Sequence, residues 1–298
     1  RPMLKENRSM EESRSSKGRF GKKRPCEKRT AHLALIQFES VLCDPAANVE
    51  KACRMIAEAA AQGADLVALP ELFSTGYQLN IVGPRMPDLA EPVDGPTVRA
   101  LQEAARAGGC YVVAGLALTH GLAGVAFNSA VFIDRDGEVQ GTYDKQHLWA
   151  LERFYFRSGC DCPVFDTDFG RVGVMICYDM GFPEVARMLA LQGAELVVCP
   201  SAWCAEDMDV WDVNVPARAL ENTVFVAAVN RFGEEDGLVM PGHTKVCDPR
   251  GHVVAELAEE AEGVLHARID LDALAAARQV SPYLRDRRPD LYNAVLLP

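Results

Sequence analysis

The sequence predicts an α/β protein that folds as a four-layer αββα sandwich, with two β-sheets inside and helices outside each. Short apolar runs typical of buried strands alternate with amphipathic helical stretches. The first strand–helix–strand unit has short connections, which indicates a parallel strand pair. A second set of strands follows the later helices, and no linker interrupts residues 31–298, so we expect a single domain there.

The charge of the chain is unevenly distributed. The net charge is −11, but residues 1–30 carry eleven Lys or Arg against four Glu, which leaves −18 for residues 31–298. Residues 31–298 are acidic enough to argue against nucleic acid as a partner, because the phosphate backbone would repel them. Residues 1–30 have almost no apolar periodicity, so we interpret them as a disordered basic tail or an expression remnant. A mitochondrial presequence is the alternative, and the four glutamates argue against it.

Neither secretion nor membrane insertion is indicated, since there is no apolar signal core and no apolar run of 18 residues. Ten cysteines are present without a Cys-x-x-Cys pair, and several lie within apolar runs. This pattern favours reduced thiols in the cytoplasm over a disulfide framework. A zinc site made by Cys160, Cys162, Cys199, Cys204 and a histidine is an alternative that the spacing supports only weakly.

The elements of the first half follow from periodicity and from turn residues. Strands are predicted at 32–38, 65–69, 110–116, 125–134 and 138–143, and helices at 44–61 and 97–107. The last two strands flank a turn at 134–137 and form a hairpin.

The second half repeats this pattern. Strands are predicted at 164–167, 171–176, 195–199, 223–230, 237–248, 252–257 and 263–269, and helices at 184–192, 208–222 and 271–279. The tail at 281–298 is irregular and rich in arginine. Because its end at 294–297 is apolar, we expect it to pack on this subunit or on a neighbouring one.

Three polar residues each follow a predicted strand: Glu71, Lys145 and Cys177. Carboxyl ends of strands are where α/β sheets place ligand sites. A fourth residue, Glu152, lies within an aromatic stretch, which is typical of an acid with an altered pKa. Taken singly, each has an ordinary explanation: a solvated or ion-paired glutamate, a lysine at a strand end, or a buried thiol.

Together these residues carry a family resemblance. Four segments match its motifs: Leu69-Pro70-Glu71, Asp144-Lys145-Gln146-His147-Leu148, Leu151-Glu152-Arg153-Phe154-Tyr155-Phe156 and Gly173-Val174-Met175-Ile176-Cys177-Tyr178-Asp179. In this respect the chain resembles the nitrilase superfamily of carbon–nitrogen hydrolases over about residues 31–292. Each motif is weak alone, but four catalytic positions in the right order and spacing make coincidence improbable.

The resemblance implies acyl transfer through a Cys177 thioester without a metal or an organic cofactor. An unassisted thiol has a pKa of about 8.5, so it needs a base to act at neutral pH, and Glu71 matches that role. Lys145 and the backbone N–H of Tyr178 would stabilise the oxyanion, and Glu152 would orient Lys145 or the substrate. A papain-like pair of Cys177 with His147 is the competing mechanism, although the family pattern makes that histidine structural.

The residues after the nucleophile bear on the substrate. Cys177-Tyr178-Asp179 resembles amidase branches, whereas nitrile-hydrolysing members usually show Cys-Trp-Glu, and Met180-Gly181 replaces the paired arginines of carbamoyl-amino-acid hydrolases. A small amide is therefore the expected substrate; a nitrile or ureido compound is the alternative, and an inactive scaffold is the alternative outside enzymes. Aromatic residues expected to wall the acyl pocket, or else to pack in the core, are Phe73, Tyr77, Phe154, Tyr178 and Trp203. The resemblance also implies a homodimer or a larger homo-oligomer.

Overall fold

The computed structural model describes residues 29–122 and 124–292, which form a mixed α/β structure. Its strands are β1 (Thr30–Glu39), β2 (Leu66–Leu69), β3 (Glu91–Pro92), β4 (Tyr111–Thr119), β5 (Ala126–Ile133), β6 (Val139–Asp144), β7 (Val164–Asp166), β8 (Arg171–Val174), β9 (Leu196–Ser201), β10 (Phe225–Glu235), β11 (Leu238–Pro241), β12 (Thr244–Cys247), β13 (Val253–Leu257) and β14 (Gly263–Asp270). Its helices are α1 (Pro45–Ala61), α2 (Leu79–Val82), α3 (Met86–Leu89), α4 (Pro96–Gly108), α5 (Glu152–Tyr155), α6 (Pro183–Leu191), α7 (Met208–Asn222), α8 (Ala273–Val280) and α9 (Pro289–Tyr292).

The strands form two sheets of similar layout. The first has the order β14-β1-β2-β4-β5-β6, and β1, β2 and β4 are parallel, as the opening strand–helix–strand unit predicted. The second has the order β7-β8-β9-β10-β12-β13, with β8, β9 and β10 parallel. The sheets join where β1 pairs with β10 at Phe38 and Arg231. Parallel central strands place their carboxyl ends at one edge of each sheet.

The layers are held by apolar packing on both faces of each sheet. Between the sheets, the rings of Phe132 on β5 and Phe165 on β7 stack with centroids 4.5 Å apart. Outside the first sheet, Ile56 of α1 and Leu101 of α4 are fully buried. Outside the second sheet, Leu189 of α6 lies against the backbone of β8. The four-layer αββα sandwich predicted from the sequence is therefore confirmed.

One predicted strand proved wrong. The segment at 237–248 is divided into β11 and β12 by a turn in which Gly242 and His243 both have positive φ. The turn is fixed by Gln37, whose side-chain oxygen accepts a hydrogen bond from the Thr244 N–H. A Cβ on Gly242 would lie 2.2 Å from this amide, so only glycine fits.

The short helices between β2 and α4 were not predicted, because four residues are too few for a periodic signal. The tail predicted at 281–298 contains α9, and its residues 293–298 lie outside the described part, as do residues 1–28 of the basic segment. Its packing on a neighbouring subunit stays a prediction. Within 29–122 and 124–292, the helices are too short or too polar to cross a membrane.

Candidate active site

Three of the four polar residues singled out from the sequence come directly after strands. Glu71 lies two residues beyond the end of β2, and Lys145 follows β6, which runs in the same direction as β2. Cys177 lies three residues after β8, in the second sheet. The edge where these strands end therefore brings residues of both sheets together, as expected for the carboxyl ends of parallel strands.

The fourth residue, Glu152, completes a buried charged cluster with Lys145 and Glu71. The Nζ atom of Lys145 lies 2.7 Å from Oε1 of Glu71 and 2.7 Å from Oε1 of Glu152. All three side chains are fully buried. Because unpaired buried charges are very costly, the lysine and the two carboxylates stabilise one another only as a set.

Both oxygens of each glutamate accept hydrogen bonds from further donors. The amide of Asn128 donates to Oε1 of Glu71 at 2.6 Å, and the backbone N–H of Ala202 donates to Oε2 at 2.9 Å. The hydroxyl of Tyr77 donates to Glu152, and the N–H of Trp149 donates to its second oxygen at 3.0 Å. These bonds fix both carboxylates in place before any substrate arrives.

The backbone at Cys177 has an unusual conformation. Its φ is +46°, in the left-handed region that residues other than glycine seldom adopt, and a 3₁₀ turn spans Cys177–Gly181. The first N–H groups of such a turn have no acceptor within it, which makes the N–H of Tyr178 a donor for an anion.

Asp179 holds this turn in place. One oxygen accepts bonds from the Tyr143 hydroxyl at 2.6 Å and from the Ile176 N–H at 3.1 Å. The other accepts bonds from the N–H of His147 at 2.9 Å and from its Nδ1 at 2.8 Å. Because Tyr143 and His147 come from β6 and the loop after it, the carboxylate ties the nucleophile turn to the first sheet.

Burial dominates the protonation of the site. It raises the pKa of the Cys177 thiol well above its ordinary value; Glu71 raises it further and Lys145 lowers it. Burial also raises the pKa of Glu152, against the effect of Lys145. For Lys145 burial lowers the pKa, but Glu152 and Glu71 outweigh it, so the pKa lies well above its usual range and the amine stays charged.

A cavity of about 200 Å³ opens at Cys177. Three of the predicted aromatic residues line it, namely Tyr77, Tyr178 and Trp203. Phe154 is the exception: its side chain is 82% exposed and does not line the cavity. The short helix α5 turns Glu152 inward and therefore turns Phe154, two positions later, outward. Phe73, also considered for the pocket, packs edge-on against Phe38 in the core.

Several cavity residues were missed by sequence reasoning. They are Trp149, Cys204, Asp207, Val210 and Asn214. Asn128, which bonds Glu71, was missed as well. Asp207, Val210 and Asn214 are spaced by three and four residues at the start of α7, so one helix face meets the cavity. That spacing was visible in the sequence, but which face of the helix meets the site was not.

His147 lies away from the cysteine. Its Nδ1 bonds Asp179, and its ring stacks on Phe182 with centroids 3.7 Å apart. It lines a neighbouring open cavity of about 460 Å³, which shares only Tyr178 with the cavity at Cys177. A papain-like pair of Cys177 with His147 is therefore not what this geometry supports.

The cysteines of the zinc alternative are not gathered into a site. In the described part of the chain, no three His, Cys, Asp or Glu side chains are arranged to hold a metal ion. All nine cysteines in that part carry free thiols.

Comparison with known proteins relates this geometry to a family. A family model described as carbon–nitrogen hydrolase matches residues 32–279. A probable nitrilase of Schizosaccharomyces pombe is 35% identical and spans 90% of this chain and 99% of its own. The 2-oxoglutaramate amidase of Bacillus subtilis is 34% identical over 87% of this chain and 98% of its own.

The solved structures include a similar amidase. A mutant amidase from Nesterenkonia sp. AN1 superposes with a TM-score of 0.77 at 30% identity, covering 89% of this chain and 97% of that one. In that structure the acetamide moiety of fluoroacetamide is covalently added to the active-site cysteine.

Proposed function

Because this chain belongs to the carbon–nitrogen hydrolase family, we propose that it is an amidase that hydrolyses a small amide through a thioester on Cys177. The products are ammonia and a carboxylic acid. Its relatives include both nitrilases and amidases by name, and the cysteine adduct of the bacterial amidase supports a covalent route. The proposal concerns the residues that carry the reaction and the substrate class.

One observation carries the proposal. A cysteine in a left-handed backbone conformation lines a cavity, and its thiol lies within the electrostatic field of the buried Glu71, Lys145 and Glu152. A buried ion pair is often no more stabilising than apolar residues of the same volume, so the stability of the fold alone does not explain this cluster. A strained cysteine beside such a cluster is the arrangement that covalent catalysis requires.

In the first half of the reaction Glu71 is the general base. Burial keeps the Cys177 thiol protonated at neutral pH, so a base must take its proton as sulfur attacks the amide carbon. A carbon–sulfur bond forms and the carbonyl oxygen becomes an oxyanion, which Lys145 and the Tyr178 N–H stabilise. The protonated Glu71 then gives its proton to the leaving nitrogen, the carbon–nitrogen bond breaks, and ammonia departs.

The second half uses the same groups in reverse. Glu71 takes a proton from water, whose oxygen attacks the thioester carbon. The carbon–sulfur bond then breaks, Glu71 gives its proton to the leaving sulfur, and the thiol is restored as the acid departs. Glu152 positions Lys145, since its Oε1 accepts a bond from the ammonium while Tyr77 and Trp149 hold the carboxylate in place. No oxidant, reductant or second substrate besides water is needed for this balance.

Trapping of the acyl-enzyme tests the proposal directly. With a short aliphatic amide and hydroxylamine, we expect a hydroxamate to form together with released ammonia, because hydroxylamine competes with water for the thioester. The variant Cys177→Ser should lose at least about 10³-fold in rate. Cys53→Ser is the matched control, since its sulfur bonds only the Ala100 carbonyl in a helix layer far from the cavity, and it should retain activity.

A panel assay separates the amide from its alternatives. Ammonia release is measured over amides, nitriles and ureido acids of the same chain length. Faster turnover of a nitrile or a ureido acid would replace the amide assignment. Absence of any product from all three classes would favour the scaffold alternative over an enzyme.

A further inference from the structure

We infer that the acyl cavity selects amides whose far end carries a positive charge and rejects those ending in a carboxylate. This inference rests on the proposed amidase function and adds the chemical class of the substrate. It concerns the part of the cavity wall that the start of α7 contributes, with Asp207, Val210 and Asn214.

The charges that line the cavity are all negative or already matched. Among the residues described, no Lys, Arg or His lines it, while Asp207 does. The buried cation that acts on the Cys177 thiol, Lys145, already has two carboxylate partners. Arg153 belongs to the neighbouring open cavity. An anionic substrate tail would therefore find no positive partner, and its desolvation would go uncompensated.

Asp207 has a carboxylate that the fold does not use. It stands at the N-cap of α7 but makes no capping hydrogen bond, and within the described residues its side chain has no hydrogen-bond or ion-pair partner. Its backbone, by contrast, is fixed, because its carbonyl accepts a bond from the Trp203 indole at 2.8 Å. A carboxylate without a partner, on a backbone that is held at a cavity wall, is suited to bind an ammonium group.

The aromatic walls support the same charge. Tyr77, Trp149, Tyr178 and Trp203 surround the cavity, and the faces of such rings attract cations with an energy that grows when the cation leaves water. Cages of aromatic rings recognise quaternary ammonium ligands in this way.

The N-terminus of α7 has an opposing effect, so the sizes of the two charges have to be compared. A helix N-terminus carries roughly half a positive charge and by itself attracts anions. Here the carboxylate of Asp207 stands at that terminus in the cavity wall, so one full negative charge outweighs it. Burial first, then Glu206, Glu71, Asp207 and Glu235, raise the pKa of the Cys204 thiol in the same cavity wall to about 12.

Three amides of equal length test the inference. They share the form X–(CH₂)₄–C(O)NH₂ and end in an ammonium, a methyl or a carboxylate group. We expect kcat/KM to fall in that order, with the ammonium amide at least about 100-fold above the carboxylate amide. The inference is overturned if these two lie within tenfold, or if the methyl amide exceeds the ammonium amide.

Variants of α7 locate the effect. Asp207→Asn should reduce the ammonium-to-carboxylate ratio by about tenfold, because it removes one charge from the cavity wall. Asp209→Asn removes the same charge two residues away, on an exposed position that does not line the cavity, and should leave the ratio close to that of the wild type. Equal ratios in the Asp207→Asn variant and the wild type would also overturn the inference.

Binding to an inactive variant separates this inference from the proposed function. Calorimetry with Cys177→Ala measures the affinity for the three amides without any reaction. Preferential binding of the ammonium amide combined with no turnover by the wild type would refute the amidase proposal and leave the inference standing. Turnover of all three amides with no binding preference would support the amidase proposal and refute the inference about charge.

Discussion

The ammonium of Lys145 lies 2.7 Å from a carboxylate oxygen of Glu71, although 74 residues separate them in the chain. The two residues follow strands of the same sheet, so the pair forms only when that sheet is complete. With Glu152 on its other side, Lys145 is the positive charge that makes two buried carboxylates tolerable.

Replacing this lysine tests its double role. In Lys145→Gln the two glutamates lose their counter-charge, so we expect a loss of about 3–5 kcal/mol in the free energy of unfolding. The rate should fall by at least about 10²-fold, since an oxyanion donor is lost. Urea unfolding and ammonia release measure the two effects.

Lys51→Gln is the matched control. That lysine pairs with Glu262 at a partly exposed site, where such pairs contribute about 1 kcal/mol or less. A variant Lys145→Gln that unfolds at the same urea concentration as Lys51→Gln would contradict the buried cluster.

A second prediction concerns Gly115, which faces the base. A Cβ added there would lie 2.7 Å from both the Cα of Glu71 and the carbonyl oxygen of Pro70. In Gly115→Ala we expect Glu71 to shift, with a loss of 1–3 kcal/mol in stability and roughly 10²-fold in kcat. Gly121→Ala has no atoms near its Cβ but a φ of +78°, so backbone strain should lower its stability by about 1 kcal/mol while kcat stays unchanged. Equal kcat values in the two variants would count against the role of Glu71 as the general base.

The third prediction separates Asp179 from its partner His147. An asparagine at position 179 offers one acceptor oxygen where the carboxylate offers two, so a donor is left unpaired and the nucleophile turn loosens. We expect Asp179→Asn to lose at least about 10²-fold in kcat and 1–3 kcal/mol in stability. His147→Asn should keep kcat within about tenfold, because the histidine bonds Asp179 rather than Cys177. Loss of thioester trapping in His147→Asn would favour the papain-like mechanism instead.

The fourth prediction is the alkaline instability of the fold. Burial raises the pKa of Cys199 from 9.0 to about 12, so the folded state keeps a proton that the unfolded chain releases above pH 9. The contribution of this thiol to the free energy of unfolding is therefore fully present below pH 9. It falls by about 1.4 kcal/mol per pH unit as the pH rises towards 12. Urea unfolding at pH 8, 9.5 and 11 should show a shallower decline for Cys199→Ala than for Cys160→Ala, whose thiol is exposed. If stability falls equally with pH in both variants, the alkaline loss of stability does not arise from Cys199.

The sequence alone determined the layered architecture, which is a local signal, and it indicated the four polar positions through the family motifs that they form. Strand and helix periodicity is set by neighbours along the chain, and a polar residue at the end of an apolar run stands out without knowledge of its partners. The helix at Met208–Asn222 was predicted with its observed bounds, whereas the strand at 237–248 was not, because a contact with Gln37 from β1 breaks it.

Only the tertiary structure decided which side chains share the cavity. Phe154 and Glu152 are two residues apart, yet one is exposed and the other is fully buried, because the direction of a short helix depends on what it packs against. In the same way Asp207 is one acidic residue among several in the sequence, and only the fold makes it line the same cavity as Tyr77 and Cys177, which come from far earlier in the chain. Local patterns specify elements, while the neighbours of a side chain are set by contacts that close only when both sheets have formed.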